Sequence, residues 1–131
     1  MAQIGSQSAE TSPRKQLFSL IWPGALAAQA VHCAARLGLA DHIAGGCNGV
    51  ESLAAATQSH PVALHRLLRA LCSLGVLKED RGNCFHLTAM GETLQASHPS
   101  GVHPWAIMLG AAFIWRPWGR LLETVQSGEP A

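Results

Sequence analysis

The sequence predicts a mainly α fold, a winged-helix-like helical domain that carries a two-stranded β-hairpin wing. Three observations lead there. Apolar residues recur at helical spacing through 17–43 and again through 61–74. Val76-Leu77-Lys78-Glu79 and Cys84-Phe85-His86-Leu87-Thr88 then flank Asp80-Arg81-Gly82-Asn83, which is a hairpin signature. Helix, helix, turn, helix and two-stranded wing is the winged-helix order. No internal repeat is visible.

Residues 1–12 are polar and Ser-rich, and are expected to form a disordered tail. Ser12-Pro13 can open a helix, with Ser as N-cap and Pro at the first helical position. Through 17–43, Leu26, Ala30, Cys33 and Leu37 share one side, and Phe18, Trp22 and Ala25 extend an earlier stripe. Pro23-Gly24 predicts a break, hence two helices rather than one. Gly38 reads as a turn before a short helix over 39–44, and 45–49 as a loop. A short helix over 51–57 has Leu53 and Ala54 facing inward. Pro61 opens the next helix, with Leu64, Leu67, Leu68 and Leu71 inward and Gly75 just past its end. A short helix is predicted near 89–96, then a loop bracketed by Pro99 and Pro104. The segment 105–126 reads as a helix that is apolar nearly all round and kinked at Pro117, which demands burial on several sides.

Composition restricts the function classes. The chain has 131 residues, room for one domain, and a net charge of +1 with His neutral. No strong basic field invites nucleic acid or acidic lipid. Lys78 and Arg81 on the wing are offset by Glu79 and Asp80. Charged residues make up 13% and hydrophobic residues 48%, where soluble domains average about 25% charged. A small domain cannot hide such an apolar surplus within itself. The sequence therefore predicts a large apolar interface with a second copy, another domain, or both. The longest apolar run, 105–115, is 11 residues, against about 20 needed to span a bilayer. Residues 1–15 lack the apolar core of an export signal. Cys33, Cys47, Cys72 and Cys84 form no C-x-x-C pair and read as buried free thiols. A cytoplasmic location follows.

The catalytic inventory is thin, and no catalytic residue is assigned. No His pair has helical metal spacing; a gathering of Cys84, His86, His98 and His103 lacks the tight ligand pairs of zinc sites, so no metal is expected. Gly45, Gly46 and Gly49 have no preceding strand and so form no phosphate loop. The four Trp are the most pointed feature. Trp105, Met108, Ala112 and Trp115 fall on one stripe of a continuous helix, and with Phe113 nearby they predict a pocket for a hydrophobic aromatic molecule. Leu17, Trp22, Leu26, Ala30, Cys33, Leu37, Ile114, Trp118 and Leu122 are assigned to a dimer interface. On this reading Trp118→Ala is a core-type loss of about 3–5 kcal/mol, whereas Met108→Ala alters ligand binding at little cost in stability.

Five segments in order resemble one family: AARLGLADHIAGG at 34–46, VESLAAAT at 50–57, ALHRLLRALCSLGVLKED at 63–80, FHLTAMGETL at 85–94 and WGRLLETVQSGEPA at 118–131. They resemble the N-terminal dimerisation domain of S-adenosylmethionine-dependent small-molecule O-methyltransferases of the plant phenylpropanoid and bacterial polyketide type. Gly49 stands where that family often has a capping Thr, and Gln58 where it often has Gly. The resemblance implies a homodimer, with 13–131 as one winged-helix-like dimerisation domain framed by extra N- and C-terminal helices, and part of an acceptor pocket. It also implies that Ala131 falls where the Rossmann-like catalytic domain would begin. The glycine-rich cofactor loop, the ribose-binding acid and the catalytic His would then lie outside this chain. S-adenosylmethionine is thus implied only for that domain, on the same or a separate chain, and this piece is no methyltransferase by itself. Two alternatives stay open. One is a free-standing descendant that binds, cyclises or isomerises an aromatic polyketide-like metabolite; the other is a winged-helix DNA-binding regulator.

Overall fold

The computed structural model describes residues 12–131. Nine helices and one hairpin make up the described chain: α1 Pro13–Ile21, α2 Gly24–Arg36, α3 Leu39–Ala44, α4 Val50–Thr57, α5 Pro61–Ser73, β1 Leu77–Glu79, β2 Phe85–Leu87, α6 Ala89–Glu92, α7 Val102–Leu109, α8 Ala112–Gly119 and α9 Leu121–Ser127. The expected tail over 1–12 lies outside the described residues except for Ser12. The Ser12 hydroxyl accepts from the Lys15 amide at 3.4 Å and Pro13 opens α1. The break at Pro23-Gly24 divides α1 from α2 where the sequence predicts it.

Capping chemistry sets the turns around the wing. Gly75 follows α5 at φ +78°, its amide reaching the Cys72 carbonyl while the Val76 amide reaches that of Leu71. This paired bonding ends a helix in the left-handed region, where a residue without Cβ carries no strain. The chain then runs straight into β1. The two strands are antiparallel, with Leu77 opposite Leu87, Lys78 opposite His86 and Glu79 opposite Phe85. Asp80 Oδ1 accepts from the Gly82 amide at 2.8 Å and the Cys84 amide at 3.1 Å, closing the turn. Thr88 caps α6 by accepting from the Gly91 amide, and its hydroxyl lies 2.6 Å from the Gly75 carbonyl. Gly91 passes so close to β1 that a Cβ there would overlap the Val76 backbone.

The core is concentrated in one part of the chain. Leu39, Leu53, Leu68, Leu71 and Phe85 are fully buried, and among the described residues every buried hydrophobic lies between Ala34 and Leu94. In α5 the spacing of Leu64, Leu68 and Leu71 turns one face inward, as the periodicity predicts; Leu67 is half-buried against the same cluster.

Three expectations are corrected. Pro104 does not bound a loop: α7 begins at Val102, and Pro104 sits in its first turn, where a missing amide leaves no intrahelical bond unmade. The segment 105–126 is not one helix kinked at Pro117. Ala111 is extended, with ψ 151°, so the break falls there, and a second falls at Arg120, while Pro117 lies inside α8. The thiols are not buried. Cys33 is exposed and Cys47, Cys72 and Cys84 are half-buried, because the core has its apolar sites filled by Leu, Ala and Phe. Burial still pushes the Cys72 thiol up, helped by the Glu79 carboxylate and opposed by Arg69.

Candidate functional site

The residues singled out for a pocket fall on α7 and α8, which meet α2. Small residues on α2 let α7 come close, and three side chains stitch the pair. Gln29 Nε2 donates to the Gly110 carbonyl at 3.1 Å. His32 Nδ1 lies 3.0 Å from the Ala106 carbonyl, and His103 Nε2 lies 3.2 Å from that of Ala35. A carbonyl can only accept, so each of those ring nitrogens carries the proton. At the end of α7 a Cβ on Gly110 would overlap the His32 side chain. Glycine is therefore what permits this crossing.

Two concavities flank the junction. A cleft of about 450 Å³ lies between α2 and α7, with Ala28, Val31, Leu74, Met90, Trp105 and Leu109 in its walls. A groove of about 560 Å³ lies between α2 and α8, lined by Leu26, Gln29, His32, Ala112, Trp115 and Arg116 among others. Trp105 and Trp115 thus stand in different concavities. The single stripe of Trp105, Met108, Ala112 and Trp115 is corrected by the break at Ala111, which gives its two halves separate helix axes. Met108 is 40% and Phe113 67% exposed, and neither lines the cleft or the groove.

The residues assigned to an interface divide similarly. Leu17, Trp22, Leu26, Trp118 and Leu122 are all more than half exposed, and Cys33 is exposed as well. Ala30 and Leu37 instead pack against the chain's own core, and Ile114 is half-buried. Trp118, at 64% exposed, is not a core residue of the single chain. The residues weighed for a metal are engaged apart from one another: His86 Nε2 with Asp80 Oδ2 at 2.7 Å, His98 Nδ1 with Ser100 at 2.8 Å, and His103 with Ala35. Among the described residues no group of three or more His, Cys, Asp or Glu is placed to hold a metal. The hydrogen bond from His86, with those from the Cys84 and Gly82 amides, holds the Asp80 carboxyl below its ordinary range. No single described helix is long and apolar enough to cross a membrane; α1 and α2 reach that composition only as a pair bent by 40°.

Sequence reasoning missed Gln29, His32 and Gly110. The available signal was two polar residues at i and i+3 inside an otherwise apolar helix, which commonly marks a face that bonds to a neighbouring backbone.

Residues 21–97 match the O-methyltransferase dimerisation domain. The chain belongs to that family. It is 39% identical over 104 residues to the O-methyltransferase SfmM3 of Streptomyces lavendulae, covering 79% of this chain and 31% of that protein. The phenazine O-methyltransferase PhzM of Lysobacter antibioticus is 37% identical, over 79% of this chain and 30% of its own length. In structure the chain resembles the N,N-8-amino-8-demethyl-D-riboflavin dimethyltransferase of Streptomyces davawensis, with TM-score 0.80 and 30% identity over 92% of this chain and 36% of that one. This dimerisation domain spans about a third of the length of the relatives it matches.

Proposed function

We propose that this dimerisation domain joins two copies of an O-methyltransferase and lends an apolar wall to the pocket for the methyl acceptor. The observation that carries the reading is the placement of apolar side chains. Of the 17 exposed large hydrophobic residues among the described residues, all but Val62 and Met90 fall within 17–26 or 102–125. Soluble monomers rarely leave contiguous apolar patches of that kind uncovered. A second copy would cover the arms, and an aromatic acceptor would use the walls carrying Trp105 and Trp115. Flat ring systems are what two of the relatives are named for, a phenazine and a riboflavin. The four free thiols suit a reducing cytoplasm.

In this reading S-adenosylmethionine is not assigned to the described residues. A nucleoside cofactor of this size takes a crevice at the carboxyl ends of parallel strands, whereas the described sheet has two antiparallel strands. In this reading the cofactor and the methyl-transfer chemistry belong to a catalytic domain supplied on the same or another chain. Sedimentation velocity at micromolar concentration tests the assembly. A dimer is expected, with an interface of roughly 2,000 Å² or more as in obligate pairs; a well-folded monomer overturns the reading.

A further inference from the structure

We propose that His65 and Glu79 form an acid-operated clasp that draws the wing onto α5. The clasp lies in the closed part of the fold, apart from the arms. Alternation along β1 puts Glu79 on the same side as buried Leu77, with Lys78 on the other. His65 on α5 meets it there. Its Nε2 stands 3.9 Å from Glu79 Oε1, and its ring lies edge-on to fully buried Phe85, the residue opposite Glu79 in the hairpin. That nitrogen has no access to water and no hydrogen-bond partner. Either neutral tautomer leaves it unmatched. With the proton on Nδ1, an Nε2 lone pair faces a carboxylate, two acceptors with nothing between them. With the proton on Nε2, the donor stops roughly 1 Å short of a charge-assisted bond of about 2.8 Å. The imidazolium resolves both cases, because Nε2 then carries a proton and an attraction that shortens the gap. The His65 side chain is 42% exposed, so protons reach the ring.

The neighbouring charges leave Glu79 as its partner. Arg69, one turn along α5, opposes the imidazolium as a like charge; it and Glu79 act in opposite senses on the Cys72 thiol, which burial pushes up. Glu51 on α4 and Arg36 on α2 are exposed and form no ion pair with His65, and His32 on α2 is bonded to α7. His86, opposite Lys78, is engaged with Asp80. Position gives the clasp its effect. The turn at Gly75 holds the near end of β1 to α5, whereas Glu79 is the last residue of that strand. Protonation therefore fastens the far end of the wing. That contribution is present below the ordinary imidazole range and lost as pH rises through it.

The test is hydrogen exchange of the intact chain, followed by NMR between about pH 7.5 and about pH 5.5, on either side of the range where imidazole takes up its proton. Each rate is set against that of an unstructured chain at the same pH. The Asp80 amide, which donates to the Cys84 carbonyl, and the Thr88 amide, which donates to that of Val76, report on the wing. Their protection is expected to rise about threefold in acid, the size of a partly exposed ion pair, while that of the Leu53 amide on α4 stays level. Glu79→Gln and His65→Gln should each flatten the rise, and the double variant should add nothing to either. A rise that survives Glu79→Gln belongs to His86 and Asp80 and overturns the proposal. A wild-type chain with no rise overturns it too, as does a His65 ring whose NMR signals show no proton uptake over the range. Circular dichroism checks that the variants are folded. If His65→Gln is not, Glu79→Gln decides alone, since its side chain is 27% exposed.

Discussion

Leu68 and Trp118 are both large apolar side chains on helices, yet the first is fully buried and the second is 64% exposed. The contrast extends to their regions. Between Ala34 and Leu94 the apolar residues close over one another, helped by α5, the wing and tight capping at Gly75 and Thr88. In the arms, 17–26 and 102–125, comparable side chains find little within the chain to pack against. What differs is how each stretch returns on itself. The wing region doubles back every few residues, whereas α7, α8 and α9 are short helices separated at Ala111 and Arg120. The first region is built to fold, and the second to meet something.

Substitutions can break or sharpen that contrast. Phe85→Ala, at a fully buried site beside His65, should cost the chain about 3–5 kcal/mol, measured by urea denaturation. A loss as small as for an exposed residue would erase the distinction. Trp118→Ala should leave chain stability within about 0.5 kcal/mol, as exposed positions do. It should instead weaken self-association by about 2 kcal/mol or more, as loss of an aromatic anchor does. Sedimentation equilibrium separates the two effects, and unfolding of the variant as a monomer would return Trp118 to the core. Gly110→Ala lies on the seam between the regions. Overlap with His32 should cost about 1–3 kcal/mol and shift the NMR signals of the α2–α7 pair while those of the wing stay fixed.

Smaller effects come from the core side. Gln58 ends α4 at φ +53°, a conformation disfavoured for any side chain with a Cβ. Gln58→Gly should raise stability by up to about 1 kcal/mol, seen as a higher Tm. Asp80 supplies an acid-sensitive contribution. Its folded-state pKa is lowered, so the stabilisation is present above the unfolded value and lost as pH falls through the folded one. The Gly82 and Cys84 amide signals should move only at a pH below the range of about 4 where a free carboxyl protonates, and in Asp80→Asn they should not.

The wing region was the legible part. Its punctuation is local: Pro61, Gly75 and the 80–83 turn each act within a few residues, as do Ser12-Pro13 and Pro23-Gly24 ahead of it, and each sits where the pattern placed it. The candidate site was legible only as a set of residue types. Trp105 and Trp115 each line a concavity, but not the same one, because the stripe joining them assumed a helix through Gly110. Beside that break Gly110 meets His32, 78 positions away in the chain. Periodicity cannot report such a contact. Nor could it separate Leu37, which caps the end of α2 and packs on the core, from Leu26, which is 57% exposed, since the two stand at helical spacing in the sequence.

The stitching of α2 to α7 has an evolutionary corollary. All three acceptors are main-chain oxygens, those of Ala35, Ala106 and Gly110, and a carbonyl is present whichever side chain its residue bears. The donors Gln29, His32 and His103 fix the crossing without drawing on Trp105 or Leu109. Those positions are released from structural duty, so the wall can be rewritten residue by residue while its mounting stays in place. Substitutions at Trp105 or Leu109 are therefore expected to leave the α2–α7 crossing in place.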